Sequence, residues 1–160
     1  MDCGSGWNGV KIQPGDTIVF KGGDSWIAST THSDNCIGWA PTFSGTAGNP
    51  ITLKGDPTWY TGGSFTRPIF DGVYLPPVIL YLDNVSYINV DNIEFKRVLA
   101  PKPDNSGLIH FSNAHHLNFS NLYLHGWRLA GSGMRLDGAQ GGIIGWNYLN
   151  KTTDAPTVTM

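Results

Sequence analysis

The stretch that decides the fold is LYLDNVSYINVDNIEF, residues 80–95, because its pattern returns as IHFSNAHHLNFSNLYL over residues 109–124. The second copy lies 29 positions after the first. A looser third copy runs MRLDG from Met134 and then GIIGWNYL over residues 142–149. It lies 25 positions further on at its first strand and 26 at its asparagine, Asn147, which predicts a one-residue insertion. A period of about 20–50 residues is typical of a solenoid, in which each unit buries its apolar side against its neighbours.

Each copy contains three short stretches in which apolar and polar residues alternate. Alternation with period two predicts strands whose side chains point in turn to the two faces of a sheet. Three strands per unit, joined by tight bends, predict one coil of a parallel β-helix. The predicted inward residues are Leu80, Leu82, Ile88, Val90, Ile93, Phe95, Ile109, Phe111, Leu117, Phe119, Leu122, Leu124, Met134, Leu136, Ile143 and Tyr148.

An asparagine stands between the second and third strands of every copy, at Asn92, Asn121 and Asn147. A sharp bend needs a residue that tolerates left-handed backbone angles, and asparagine does so better than any residue except glycine. Identical amides stacked from coil to coil also predict an asparagine ladder.

The composition favours many short strands and excludes several classes of function. Of the 160 residues, 21 are glycine and 10 are proline, and only 14% are charged. Such a chain has frequent turns and few solvated helix faces. A net charge of −2 gives no electrostatic footprint for nucleic acid. No run of about 18 apolar residues occurs, so we expect no membrane span.

The two cysteines, Cys3 and Cys36, leave two alternatives open. A disulfide between them would stabilise the fold by about 3–4 kcal/mol on the chain-entropy model. It would also place the chain in an oxidising compartment. The other alternative is a pair of free, buried thiols.

The repeated units resemble the right-handed parallel β-helix of the pectate lyase-like superfamily. Segments of the N-terminal half are similar to the first coil of such proteins, namely residues 15–23, 45–55 and 67–72. The resemblance implies an all-β, right-handed parallel β-helix of about four coils that forms a single domain over residues 1–160.

The same resemblance divides the chain in two. Residues 1–78 are expected to hold the initial coil and its long loops, and residues 79–160 the repeat coils. The strands of the initial coil are placed at 17–21, 50–54 and 68–70. Further coils of a longer chain beyond Met160, or a homo-oligomer, are expected to cover the open end, because an unpaired edge strand invites aggregation.

In function, the resemblance implies a secreted or extracellular protein that acts on an acidic polysaccharide, with the cell surface as a second location. The leading expectation is a polysaccharide lyase that cleaves a uronate polymer by β-elimination, and a glycoside hydrolase is the second choice of enzyme. The alternative is a non-catalytic, carbohydrate-binding or structural β-helix, such as a tailspike, an adhesin or a surface protein, because one fold hosts many functions.

In lyases of this fold the substrate lies on the outer face of the first sheet, where alternation puts Tyr81, His110 and Arg135 in one row. A lyase needs a base to abstract the proton next to the uronate carboxylate, and often Ca²⁺ to neutralise that carboxylate. The resemblance therefore implies the following roles: Arg135, Asp137 and Lys102 in catalysis, Tyr81, His110, Arg128 and Asp83 in substrate binding, and Asp104 in binding Ca²⁺. A plain solvated strand face remains the alternative for the whole row.

The histidines and the aromatic residues of the N-terminal loops indicate no specific functional site. His115 and His116 are neighbours on a strand, so they are expected on opposite faces and unable to share a metal ion. Four aromatic residues of the N-terminal loops are either platforms for sugar rings or core filling under the loops, and core filling is favoured: Trp26, Trp39, Trp59 and Tyr60.

Overall fold

The computed structural model describes residues 11–27, 39–75, 78–100, 107–129, 132–137, 143–144 and 148–150. These residues contain no helix, and hence none that is long and apolar enough to cross a membrane. Every pairing between strands is parallel. The predicted all-β, parallel β-helix is confirmed.

The described strands are β1 (Thr17–Gly22), β2 (Ser25–Ile27), β3 (Ile51–Tyr60), β4 (Ile69–Asp71), β5 (Val78–Asp83), β6 (Ser86–Asp91), β7 (Glu94–Lys96), β8 (Leu99–Ala100), β9 (Gly107–Ser112), β10 (His115–Ser120), β11 (Tyr123–His125), β12 (Arg128–Leu129), β13 (Ser132–Asp137), β14 (Ile143–Ile144) and β15 (Tyr148–Asn150).

The chain visits three long sheets in turn, and each visit adds one strand. Sheet 1 has the order β1-β3-β6-β10-β14, sheet 2 the order β2-β4-β7-β11-β15, and sheet 3 the order β5-β9-β13. The short pair β8 and β12 lies between sheets 2 and 3 along the chain. Trp39 extends sheet 3 by one level through a parallel bridge to Leu80.

The core confirms the inward residues predicted from the first two copies. All twelve of them are at most 3% exposed. Burying a large apolar side chain contributes about 1.5–3 kcal/mol, so these columns are the main source of cohesion between coils. At the N-terminal end the column continues as aromatic rings, with Phe20 against Trp26 at 5.2 Å and Trp39 stacked on Phe70 at 5.9 Å. Trp26 and Trp39 are therefore partly buried and pack against the core, which agrees with the favoured prediction for them.

The register of the third copy differs from the prediction. The offset is 25 in all three sheets, from Ile109 to Met134, Asn118 to Ile143 and Tyr123 to Tyr148, so no residue is inserted within this coil. Ile144 pairs with the core residue Phe119, and Leu149 pairs with the core residue Leu124. This register differs by one residue from the spacing of 26 that Asn147 predicts for the second and third strands.

The initial coil is also built differently from the prediction. Segments 17–21 and 50–54 were assigned to one coil, but Thr17 pairs with Thr52, so the two strands are vertical neighbours in sheet 1. Likewise Ser25 of β2 pairs with Ile69 of β4 in sheet 2. The N-terminal half thus contains two coils, and the long loops between their strands hide the period.

The corners are formed by residues in the left-handed region, and they recur with the same spacing of 29 as the strands. The pairs are Asn84 and Asn113 (φ 53° and 49°), Tyr87 and His116 (54° and 55°), and Asn92 and Asn121 (58° and 52°). The left-handed bend predicted for Asn92 and Asn121 is confirmed.

The corner amides bond from coil to coil, but not to one another. Asn92 Nδ2 donates to the carbonyl oxygen of Gly55 at 3.2 Å, and Asn121 Nδ2 donates to Asp91 Oδ1 at 2.8 Å. These contacts differ from the predicted amide-to-amide ladder because Gly55 stands below Asn92 in the preceding coil. The third member of the ladder, Asn147, lies outside the described residues.

We expect Asn121→Ala to destabilise the chain by about 1–2 kcal/mol more than Asn121→Gly. Both changes remove the bond to Asp91, but only alanine also incurs the cost of a left-handed backbone, which is about 1–2 kcal/mol. Urea unfolding monitored by circular dichroism measures the difference. Equal midpoints for the two variants would show that this corner is not left-handed.

Candidate functional site

The row predicted on sheet 3 is aligned as expected along the backbone. Tyr81 pairs with His110 and His110 with Arg135, while Asp83 and Asp137 flank Ser112 one step further on. The rings of Tyr81 and His110 lie 4.9 Å apart. His110 is only 3% exposed, however, so the row that alternation places outward is not open to solvent at its centre.

The other predicted site residues are placed only in part. Arg128 pairs with Leu99 in the short ladder of β12 and β8, and Arg135 and Asp137 have strand positions in β13. Lys102, Asp104, Cys3 and Cys36 lie outside the described residues, and their predicted roles stay predictions.

A groove of about 490 Å³ lies at the corner between sheets 1 and 2, away from the predicted row. Its walls come from three neighbouring coils: β3 and the loop after it, the end of β6, and the corner before β11. The residues that give it its chemistry are Lys54, Phe65, Arg67, Asp91, Asn92 and Asn121. Gly55 also lines the groove, and the coils approach closely there, because a side chain at this position would collide with the carbonyl oxygen of Asn92.

Hydrogen bonds hold the polar walls of the groove in place. Arg67 Nε donates to the carbonyl oxygen of Asn121 at 2.8 Å, which fixes one edge of the guanidinium group. Asp91 Oδ1 accepts from Ser120 Oγ at 2.7 Å and from Asn121 Nδ2 at 2.8 Å. The groove is therefore lined by two cations, Lys54 and Arg67, and by one carboxylate whose acceptor capacity is partly used.

Two of the groove residues have neighbours outside it: Lys54 lies beside a second carboxylate, and Phe65 lies beside a second aromatic ring. Asp56 lies 3.9 Å from Lys54 Nζ and accepts hydrogen bonds from the hydroxyl and backbone N–H of Thr58, which lower the pKa of the Asp56 carboxyl. Phe65 contacts Tyr60 edge-on at 6.1 Å. Trp59 and Tyr60 are 51% and 38% exposed, so the core-filling role favoured for them is wrong.

A ladder of charges crosses the outer face of sheet 2. Asp71 of β4 is bound by both Nε and Nη2 of Arg97 and lies 3.8 Å from Lys96 Nζ. One coil further on, Glu94 Oε1 lies 3.6 Å from Lys96 Nζ and 2.9 Å from His125 Nε2. Each contact except the one within β7 joins consecutive coils, so the ladder ties the stack together from outside.

Two carboxyl groups of this ladder have pKa values below their ordinary range. Burial raises the pKa of Asp71, but its hydrogen bonds from Arg97 and from the N–H of Val73 outweigh that effect. Burial likewise raises the pKa of Glu94, and the hydrogen bond from His125 and the charge of Lys96 outweigh it. Both groups are thus committed to ion pairs and leave little capacity for a ligand.

Sequence reasoning missed both the groove and the ladder. The ladder had a readable signal, since the outward positions of the third strand of each repeat are Glu94 and Lys96 in one copy and Tyr123 and His125 in the next. The groove had none, because Lys54, Arg67 and Asn121 are far apart in sequence and meet only through the stacking of coils.

The Ca²⁺ site implied by the resemblance rests on Asp104 and stays a prediction, because Asp104 lies outside the part of the chain that the structure describes. No group of three or more His, Cys, Asp or Glu side chains converges there. Ca²⁺ is held by six to eight oxygen ligands as a rule. Asp71 and Asp91 already accept hydrogen bonds from neighbouring side chains.

The prediction that His115 and His116 point to opposite faces is wrong. Their Nδ1 atoms lie 2.7 Å apart. Strict alternation fails because His116 has a φ of 55°, which turns its side chain towards its neighbour.

Comparison with known proteins places the fold but not the activity. No family model and no curated protein matches the sequence. Among solved structures, pectate lyase Pel9A matches with a TM-score of 0.62 and 18% identity, over 83% of this chain and 30% of Pel9A. An alginate lyase from Paenibacillus sp. str. FPU-7 matches with a TM-score of 0.48 and 19% identity, over 79% of this chain and 38% of the lyase. The chain therefore spans less than two fifths of either protein, and it has the parallel β-helix fold of pectate lyase Pel9A.

Proposed function

We propose that this chain binds an acidic polysaccharide in the groove between sheets 1 and 2, as part of a secreted, lyase-like β-helix protein. The observation that carries the proposal is the presence of two cations, Lys54 and Arg67, and one aromatic ring, Phe65, in one open groove. The structural neighbour Pel9A is a pectate lyase, and this supports an acidic polysaccharide as the ligand.

The chemistry of the groove suits a chain of uronate sugars. A carboxylate can accept two parallel hydrogen bonds from a guanidinium group, and Arg67 is already oriented by its bond to Asn121. Lys54 supplies a second, more mobile positive charge. Sugar rings have apolar faces that stack on aromatic rings, and Phe65 in the groove, with Tyr60 edge-on against it, offers such a face.

Cleavage by β-elimination is the second candidate function, and the alignment of Arg135 with His110 and Tyr81 on sheet 3 favours it. In that case Arg135 would take the proton next to the uronate carboxylate.

The test is calorimetric titration with polygalacturonate and, as the matched neutral polymer, its fully methyl-esterified form. Arg67→Gln is expected to weaken binding of polygalacturonate about tenfold, because a charge-assisted hydrogen bond contributes about 1.5–3 kcal/mol. Lys54→Gln should weaken it about threefold, since an exposed charge contributes up to about 1 kcal/mol.

The control is Lys11→Gln, which removes the same charge from an exposed residue that does not line the groove. Equal affinity for the charged and esterified polymers, or equal losses in all three variants, would refute the proposal. Ultraviolet absorbance of unsaturated products in the same samples separates a lyase from a binding module.

A further inference from the structure

Two imidazole rings face each other at the start of β10, outside the groove and the charge ladder. His115 Nδ1 and His116 Nδ1 lie 2.7 Å apart, and both side chains are exposed. At that distance at most one of the two nitrogens can carry a hydrogen, because two N–H groups would point at each other. The pair therefore has at least one Nδ1 lone pair, and it has two when each neutral ring carries its hydrogen on Nε2.

The backbone and the coil below hold the two rings in this arrangement. His116 is in the left-handed region with a φ of 55°, which brings its ring to the side of His115. Tyr87, one repeat earlier and also left-handed, stacks on His116 with ring centres 4.5 Å apart and planes 14° apart. It also contacts His115 edge-on at 6.0 Å. The preceding coil thus supplies a rigid floor for the pair.

The spacing of the two nitrogens is close to what one metal ion requires. Imidazole nitrogens bind Zn²⁺ and related ions at about 2.0–2.1 Å, so two of them on neighbouring positions of one ion lie about 2.9–3.4 Å apart. The observed 2.7 Å falls short by a few tenths of an ångström. To bind one ion, the two exposed rings must move apart by that amount and turn so that both lone pairs point at the ion instead of at each other.

We propose that His115 and His116 form a two-imidazole site for a first-row transition metal, with Cu²⁺ bound most tightly. Neutral imidazole suits Cu, Ni and Zn, and affinities rise along the series to Cu²⁺. The described residues offer no converging third His, Cys, Asp or Glu, so water or an added ligand completes the coordination. The site is therefore open on its outer side.

The experiment is calorimetric titration of the full chain with Cu²⁺, together with electron paramagnetic resonance of the loaded protein. Wild type should bind one ion whose spectrum shows nitrogen ligands. His115→Asn and His116→Asn should each weaken that binding at least tenfold. Asparagine is chosen because it tolerates the left-handed backbone at position 116.

The control is His125→Asn, which removes a histidine of the charge ladder and should bind Cu²⁺ as wild type does. Circular dichroism verifies that every variant folds. Wild-type affinity in both His115→Asn and His116→Asn, or a spectrum without nitrogen ligands, would overturn the proposal. A loss in only one of the two variants would overturn it as well, because the site needs both rings.

Discussion

Gly55→Ala is expected to destabilise the β-helix by about 3 kcal/mol or to prevent folding. A Cβ atom at this position would lie 2.4 Å from the carbonyl oxygen of Asn92 and 2.5 Å from Cδ of Pro68. Both are parts of the backbone or of a rigid ring, so neither can swing away. Forcing extra atoms into a packed site costs about 1–3 kcal/mol as a rule, and more where the neighbours are rigid.

Gly48→Ala is the matched control, because a Cβ atom there meets nothing within 4 Å. It should be neutral, or stabilise by a few tenths of a kcal/mol through the unfolded state. Urea unfolding of both variants at neutral pH gives the comparison. If Gly55→Ala unfolded at the same urea concentration as Gly48→Ala, the coils would not approach at this corner as closely as described.

Asp71→Asn is the second change with a large expected effect, a loss of about 2 kcal/mol at neutral pH. Asp71 is 5% exposed and is bound by Arg97 through two nitrogens. Breaking a buried ion pair costs about 3–5 kcal/mol. We expect a smaller loss here because the Arg97 side chain is 42% exposed and is hydrated by water when its partner is lost.

Asp83→Asn is the control, since Asp83 forms no ion pair among the described residues.

Asp71→Asn is also expected to change how the free energy of unfolding depends on pH at acid pH. The pKa of Asp71 and that of Glu94 are lowered in the folded state, so the unfolded chain binds more protons around pH 4. Their stabilisation is complete above the unfolded value of about 4 and is lost as pH falls through the lower folded values. The gap between wild type and Asp71→Asn should therefore narrow below about pH 4 in urea titrations. A constant gap down to pH 2 would show that the Asp71 charge does not stabilise the fold.

The strand pattern of residues 80–124 could be predicted because its information is local. Alternation with period two fixes which side chains face inward, and two copies with the same spacing fix how they stack. The twelve core residues follow from those two facts. The third copy follows an offset of 25 and not the 26 that Asn147 predicts, so a single residue is a weaker guide to register than the strands.

The N-terminal coils were misassigned for a different physical reason. Their strands pair at offsets of 35 (Thr17 with Thr52) and 44 (Ser25 with Ile69), so long loops conceal the repeat. The histidine pair was misjudged because alternation holds only for extended backbone, and the left-handed angle at His116 does not appear in the sequence pattern. The groove depends on three segments that meet only after the coils have stacked.

The corners have a consequence for how such a protein can diversify. Vertical partners in sheet 2 are 44 residues apart in one step and 25 in the next, from Ser25 to Ile69 and from Ile69 to Glu94, yet the ladder of strands is continuous. The extra residues of a longer coil therefore lie in the loops between strands, while the pairing of strands in the sheet stays the same. Substitutions and insertions in the outer loops can therefore change the ligand that is bound without changing the fold.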